Sequence, residues 1–162
     1  MNLFDYALQM EEDGKELYEK LAAESSNPGL TRIFTDLAAD EQKHYAIFRR
    51  LKEKHTPDKM VDSKALEGAK MLFAEMQADE ASIAQLKSDL EAYHYAMRAE
   101  KESAEIYRDA ATKESSDTIK ELLLRIAREE DKHLNILENI YDFVSEPRQA
   151  MVWAESTNRD DI

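Results

Sequence analysis

A chain of 162 residues with 43% apolar side chains has room for one domain with a substantial core. Three Gly, three Pro and few β-branched residues, against abundant Ala, Glu, Leu and Lys, set a helical preference. The absence of Cys excludes disulfides, thiolate zinc sites, a CxxC redox pair and iron–sulfur ligation, and a net charge of −13 makes nucleic acid and anionic membranes poor partners.

The first helix is predicted from Asn2 or Leu3 to about Ser25, with apolar or small residues at Phe4, Ala7, Leu8, Leu17, Tyr18 and Leu21. Ser25-Ser26-Asn27-Pro28-Gly29 forms the break. The second helix runs from about Leu30 to Lys54, and His55-Thr56-Pro57-Asp58 ends it. Residues 55–88 hold a weak helical stretch near Ala65 to Met76 and are long for a helix–helix connection. They suit a crossover that lets helices 2 and 3 run parallel. The third helix is predicted from Asp89 to Lys113, and the fourth from Thr118 to Phe143, with Ser115-Ser116-Asp117 between them. The tail, 146–162, carries Met151, Val152 and Trp153 and is expected to dock on the bundle. No apolar run nears ~18 residues and no basic-then-apolar leader is present, which predicts a soluble, cytoplasmic protein.

The chain repeats itself. Laid without a gap on residues 96–140, residues 7–51 are identical at 11 of 45 positions. The matches include Glu11/Glu100, Tyr18/Tyr107, Glu41/Glu130 and His44/His133, each pair 89 residues apart. Helical sequences resemble one another by composition, so overall identity says little; coincidence of both His, both Tyr and their Glu partners says more. A repeated two-helix unit implies an all-α four-helix bundle with an internal pseudo-twofold.

These residues interrupt apolar stripes. Helix 2 reads Phe34, Leu37, Glu41, His44, Phe48, Leu51, and helix 4 reads Leu123, Ile126, Glu130, His133, Leu137, Ile140. Helix 1 reads Phe4, Ala7, Glu11, Gly14, Tyr18, Leu21, and helix 3 reads Tyr93, Ala96, Glu100, Ser103, Tyr107, Ala110. The alternating three-and-four spacing faces a bundle core. Four carboxylates in one core layer repel and lose hydration, at several kcal/mol for each one left unpaired. Protons relieve part of this; two divalent cations match all four charges. A Glu and a His at i, i+3 share a helix face and grip one ion together. This oxygen-and-imidazole set suits Fe(II)/Fe(III) or Mn, with Zn as an artificial occupant.

A single ExxH on a helix is usually a surface pair; two copies on core stripes, each with a Glu on a repeated helix, are far more specific. Tyr18 and Tyr107 lie nearly two turns beyond Glu11 and Glu100, on the same face. They either pack with one hydroxyl bond or tune the metal pair through ligand carboxylates. His94 lies on another face than Glu100, His55 is at a helix end, and neither is read as a ligand. Trp153 and the Met residues are read as packing.

Glu11…Tyr18, Glu41-x-x-His44, Glu100…Tyr107 and Glu130-x-x-His133 resemble the ferritin-like di-iron carboxylate proteins, specifically the rubrerythrin branch, over about residues 2–145. The resemblance implies a ferritin-like four-helix bundle with a long crossover between helices 2 and 3 and a short C-terminal tail. Residues 1–145 then form a di-iron domain with internal repeat 7–51/96–140. Glu11, Glu41, His44, Glu100, Glu130 and His133 carry over as ligands of two iron ions (Fe2+/Fe3+; Mn or Zn as substitutes), with Glu41 and Glu130 bridging. Tyr18 and Tyr107 are the catalytic candidates, orienting carboxylates.

Two departures bear on activity. Rubrerythrins end in a Cys-built rubredoxin-like iron site, which this chain lacks, so an external electron donor such as a rubredoxin-like protein is expected. They also carry an extra Glu three residues after the third-helix ligand, where this chain has Ser103, which puts redox-linked iron movement in doubt. Glu102, next to it, is expected to face elsewhere. The leading expectation is a di-iron oxidoreductase reducing hydrogen peroxide or dioxygen. The alternatives are an iron-binding ferroxidase for iron handling, and a helical interaction module with a vestigial site. The resemblance also implies a homodimer, in some relatives formed by exchanging helices.

Overall fold

The computed structural model describes residues 3–53 and 90–145. They form four helices: α1 (Leu3–Glu24), α2 (Pro28–Lys52), α3 (Leu90–Lys113) and α4 (Asp117–Ser145). The expected crossover over 55–88, with its weak helix at 65–76, lies outside the described residues, as do His55 and the tail 146–162 with Trp153.

Helix α2 starts two residues earlier than the Pro28-Gly29 pair suggests. The Asn27 side chain accepts from the Gly29 and Leu30 amides at 2.9 and 3.2 Å. Pro28 follows it at the first helical position, where its missing N–H costs nothing and its fixed φ suits the helix. Ser116, the repeat equivalent of Asn27, stands before α4, its carbonyl accepting from the Lys120 amide at 2.9 Å. One capping position thus starts the second helix of both repeats.

The bundle is two antiparallel hairpins, α1–α2 and α3–α4, packed face to face. Phe34 stacks on Tyr93 with ring centroids 6.0 Å apart, and Phe48 meets Tyr107 at 4.9 Å. Residue numbers rise together along these contacts, so α2 and α3 run parallel. The end of α2 and the start of α3 are therefore at opposite ends of the bundle. This is the ferritin-like topology. The reversed pairings Tyr107–Glu11 and His133–Asp40 make α1/α3 and α2/α4 antiparallel.

The predicted stripes are the core. Every named stripe position of α2 and α4 is buried. In α3 the stripe ends on Ala111, with Ala110 only half-buried. The apolar residues divide into two clusters. One gathers Leu21, Leu30, Phe34, Tyr93, Leu137 and Phe143; the other gathers Ala7, Phe48, Leu51, Tyr107, Leu123 and Ile126. Between them lies a layer of charged groups, and that layer is the candidate site.

Candidate metal centre

The helices deliver six titratable side chains to one layer. Glu11, Glu41, Glu100 and Glu130 are buried, and both His44 and His133 are 0% exposed. The six form two overlapping groups: Glu11, Glu41, His44 and Glu130, and Glu41, Glu100, Glu130 and His133. In each group one potential ligand atom per residue lies within 4.8 Å of the others. Glu41 and Glu130 belong to both groups; every other member belongs to one. The imidazole planes lie near parallel, 23° apart, with centroids 6.1 Å apart.

The contacts obey the repeat. His44 Nδ1 lies 2.9 Å from Glu130 and 3.4 Å from Glu11. His133 Nδ1 lies 3.0 Å from Glu41 and 3.2 Å from Glu100. The Tyr107 hydroxyl donates to Glu11 at 2.9 Å, and the Tyr18 hydroxyl donates to Glu100. Each tyrosine thus serves the glutamate of the other repeat, although it shares a face with the glutamate of its own helix.

Two participants stand outside the sequence reading. His44 Nε2 lies 2.9 Å from Glu129, and His133 Nε2 lies 2.9 Å from Asp40. Asp40 and Glu129 are repeat equivalents, each buried four residues before a histidine on its own helix and bonded to the histidine across the interface. The signal was present as a carboxylate at i−4 from both His residues, but only the packing of α2 on α4 reveals the crossed pairing. Lys43, partly exposed, reaches both carboxylates, at 3.6 Å from Asp40 and 3.8 Å from Glu129.

Burial opposes charge throughout the cluster, and neighbours decide where charge survives. Burial acts most strongly on the Glu11 carboxyl and raises it, but the His44 charge together with hydrogen bonds to Glu41, His44 and Glu130 outweighs it and brings the group to about 2. At Glu100, burial is likewise outweighed by the His133 charge together with hydrogen bonds to Glu130, His133 and Tyr18, and the carboxyl is lowered. Glu41 is pushed well above the carboxylate range by burial, then by the charges of Glu11, Glu130 and Glu100. Glu130 follows, from burial, then Glu100 and Glu11. Burial lowers both imidazoles, but the surrounding carboxylates together, Glu11 with Glu129 and Glu130 at His44 and Glu100 with Asp40 and Glu130 at His133, overcome it and hold them well above the usual histidine value. Burial, and then the glutamate each one faces, raise both tyrosine hydroxyls, which remain donors.

In the metal-free layer Glu11 and Glu100 are thus shifted toward the charged carboxylate, both imidazoles toward the charged form, and Glu41 and Glu130 toward the protonated form. Even so, Glu11 Oε2 and Glu100 Oε2 stay buried without a well-formed hydrogen bond, the His44 Nδ1 contact to Glu11 Oε2 standing at 3.4 Å. A buried carboxylate oxygen so poorly served is costly, and a cation is a partner that such an atom accepts. Gly14 adds room: a Cβ there would lie 3.2 Å from Glu41 Oε2. Four carboxylates and two imidazoles fit two divalent ions in charge and in donor type.

A family model described as Rubrerythrin matches residues 2–141. The chain belongs to the rubrerythrin family. Neither the curated proteins nor the solved structures gave a match. Membership makes this a di-iron protein by family, and the rubrerythrin-type layer holds carboxylate and histidine groups able to bind metal. Ser103, where rubrerythrins carry an extra Glu, is buried and turns its hydroxyl to the Ala99 carbonyl at 2.8 Å. Glu102 faces away, accepting from the Tyr6 hydroxyl at 3.2 Å. His94 is exposed and packs on Tyr141, away from the layer.

A cleft of about 470 Å³ separates α1 from α3. Its outer end meets solvent at Tyr95, which is 54% exposed, beside Tyr6. Its inner end touches Glu41, Glu100, Glu130 and the Tyr18 ring. Among the described residues, no helix is long and apolar enough to cross a membrane.

Proposed function

We propose that this chain is a di-iron oxidoreductase that reduces hydrogen peroxide or dioxygen with electrons from a separate carrier. The observation that carries the reading is the overlap of the two four-residue groups on Glu41 and Glu130, with a cleft leading from solvent to both. Glu41 and His44 with Glu11, and Glu130 and His133 with Glu100, would hold two iron ions, with Glu41 and Glu130 shared between them. When bound, a ferrous pair supplies two electrons and Lewis acidity toward an O–O bond.

The chain's own residues do the rest. Asp40 and Glu129 accept from the Nε2–H groups, which leaves Nδ1 as the ligand atom and fixes each ring. Tyr18 and Tyr107 hold Oε1 of Glu100 and Glu11, leaving the Oε2 of each, which makes no hydrogen bond, to ligate. The two apolar clusters close the layer above and below. The 162 residues hold no Cys with which to build a rubredoxin-like iron site, and this reading takes the electrons from a separate carrier.

The test is anaerobic loading with Fe(II), metal counting, and stopped-flow mixing with hydrogen peroxide and, separately, with dioxygen. Two irons per chain, oxidised much faster by peroxide, are expected. Faster oxidation by dioxygen would move the assignment to ferroxidase or oxygen chemistry. Failure to hold two irons would overturn it.

A further inference from the structure

The α1–α3 cleft is far larger than the substrates just named. Hydrogen peroxide has two heavy atoms and needs little more space than a water, whose share of liquid volume is ~30 Å³. At about 470 Å³ the cleft falls instead among pockets for organic ligands, which span ~300–1,000 Å³. Its polarity is graded. Carboxylates gather at the inner end, while Met10, Leu17, Ala96 and Ala99 form the walls.

Two positions keep it wide. Gly14 and Ser103 both line it, and they are repeat equivalents, each three residues after the glutamate of its helix. Ser103 spends its hydroxyl on the Ala99 carbonyl and so adds little polarity to the wall. Met10, whose sulfur lies 3.8 Å from Ser103 Oγ, is a side chain that adapts to an irregular apolar shape. The rim carries Asp13 and Glu102 against one Arg98, which disfavours an anionic body.

We propose that the cleft admits an uncharged organic hydroperoxide, its apolar body along Met10, Leu17, Ala96 and Ala99 and its O–O end toward Glu41, Glu100 and Glu130. This rests on the peroxide reading above and names its substrate class. The O–O bond breaks; the carbon-bound oxygen leaves as an alcohol and the distal oxygen as water. The ferrous pair of that reading would supply the two electrons, and solvent the two protons. Ser103 is the residue that sets the width.

The test has two arms on the full chain. Di-ferrous protein is mixed with cumene hydroperoxide and with hydrogen peroxide in stopped flow. Zinc-loaded protein, which is redox-inert, is titrated with cumyl alcohol, the product, and followed by backbone amide NMR. Both peroxides are expected to oxidise the centre, and the alcohol is expected to shift the Ala96 and Ala99 signals saturably. Ser103→Leu and Ala99→Leu are each expected to lower the cumene-to-hydrogen-peroxide rate ratio about tenfold or more and to weaken alcohol binding. Oxidation by hydrogen peroxide alone, or an unchanged ratio in both folded variants, overturns the inference and leaves the proposed function standing. A loaded centre that neither peroxide oxidises defeats the inference and the peroxide branch of the proposed function together.

Discussion

Tyr18 in α1 donates its hydroxyl to Glu100 in α3, not to Glu11 on its own helix. The mirror contact, Tyr107 to Glu11, stitches the same two helices in the opposite sense. The hydrogen-bonded carboxylates are the two that stay ionised in the metal-free layer, so each bond has a charged acceptor. Bonds of that kind contribute about 1.5–3 kcal/mol. Tyr18→Phe and Tyr107→Phe are each expected to destabilise the metal-free protein by about that amount in urea unfolding. A loss near zero would mean that the hydroxyls only pack.

Shared and unshared ligands should differ in stoichiometry. Glu41 and Glu130 belong to both groups, whereas Glu11 and Glu100 belong to one each. Glu11→Ala is expected to keep one tightly held ion and lose the other. Glu41→Ala is expected to weaken both sites by orders of magnitude. Metal analysis after dialysis against a weak chelator separates the two patterns; a Glu41→Ala chain with two tight irons would sink the bridging assignment.

Metal loading should release protons. His44, His133, Glu41 and Glu130 are all shifted upward, so all four hold their protons more tightly in the metal-free layer than free side chains do. All four must lose them to place four carboxylates around two divalent ions. Calorimetry in buffers of different ionisation enthalpy is expected to report about four protons released per two metals. Because these pKa values are raised, protons compete with the metal and affinity is expected to fall as pH falls. A pH-independent affinity would contradict the protonation pattern.

The carboxylates behind the imidazoles should matter without touching metal. Asp40→Asn and Glu129→Gln keep the shape but weaken the acceptors of the two Nε2–H groups. Each is expected to lower metal affinity about 10–100-fold. Lys43→Met, at a partly exposed contact, is expected to have a much smaller effect. Competition titrations with a coloured chelator give all three values.

Gly14→Ala pits two effects against each other. Alanine favours a helix interior by about 1 kcal/mol over glycine. The new Cβ, however, would lie 3.2 Å from Glu41 Oε2, and that carboxylate would have to shift by a few tenths of an ångström. Metal-free thermal stability is therefore expected to rise slightly or hold, while metal affinity falls. An unchanged affinity would show that Glu41 yields freely.

The sequence by itself determined the elements and the six central residues. Period and repeat are local properties: a Glu and a His at i, i+3 on an apolar stripe face the core in any bundle built from those helices. The rubrerythrin resemblance rests on those same positions, and the family match now covers residues 2–141. The start of α2 at Pro28 was open to a finer reading, since Asn27 before Pro at the first helical position is a capping signal.

What only the tertiary structure decided is who faces whom. Spacing along one helix cannot say that Tyr18 serves Glu100, that Asp40 backs His133, or that α1 and α3 part around a cleft. Those facts depend on how far apart two helices sit and how they are rotated, which the summed packing of both apolar clusters fixes. Charge is biased there too, because a buried glutamate is shifted down beside a histidine charge and up beside other carboxylates.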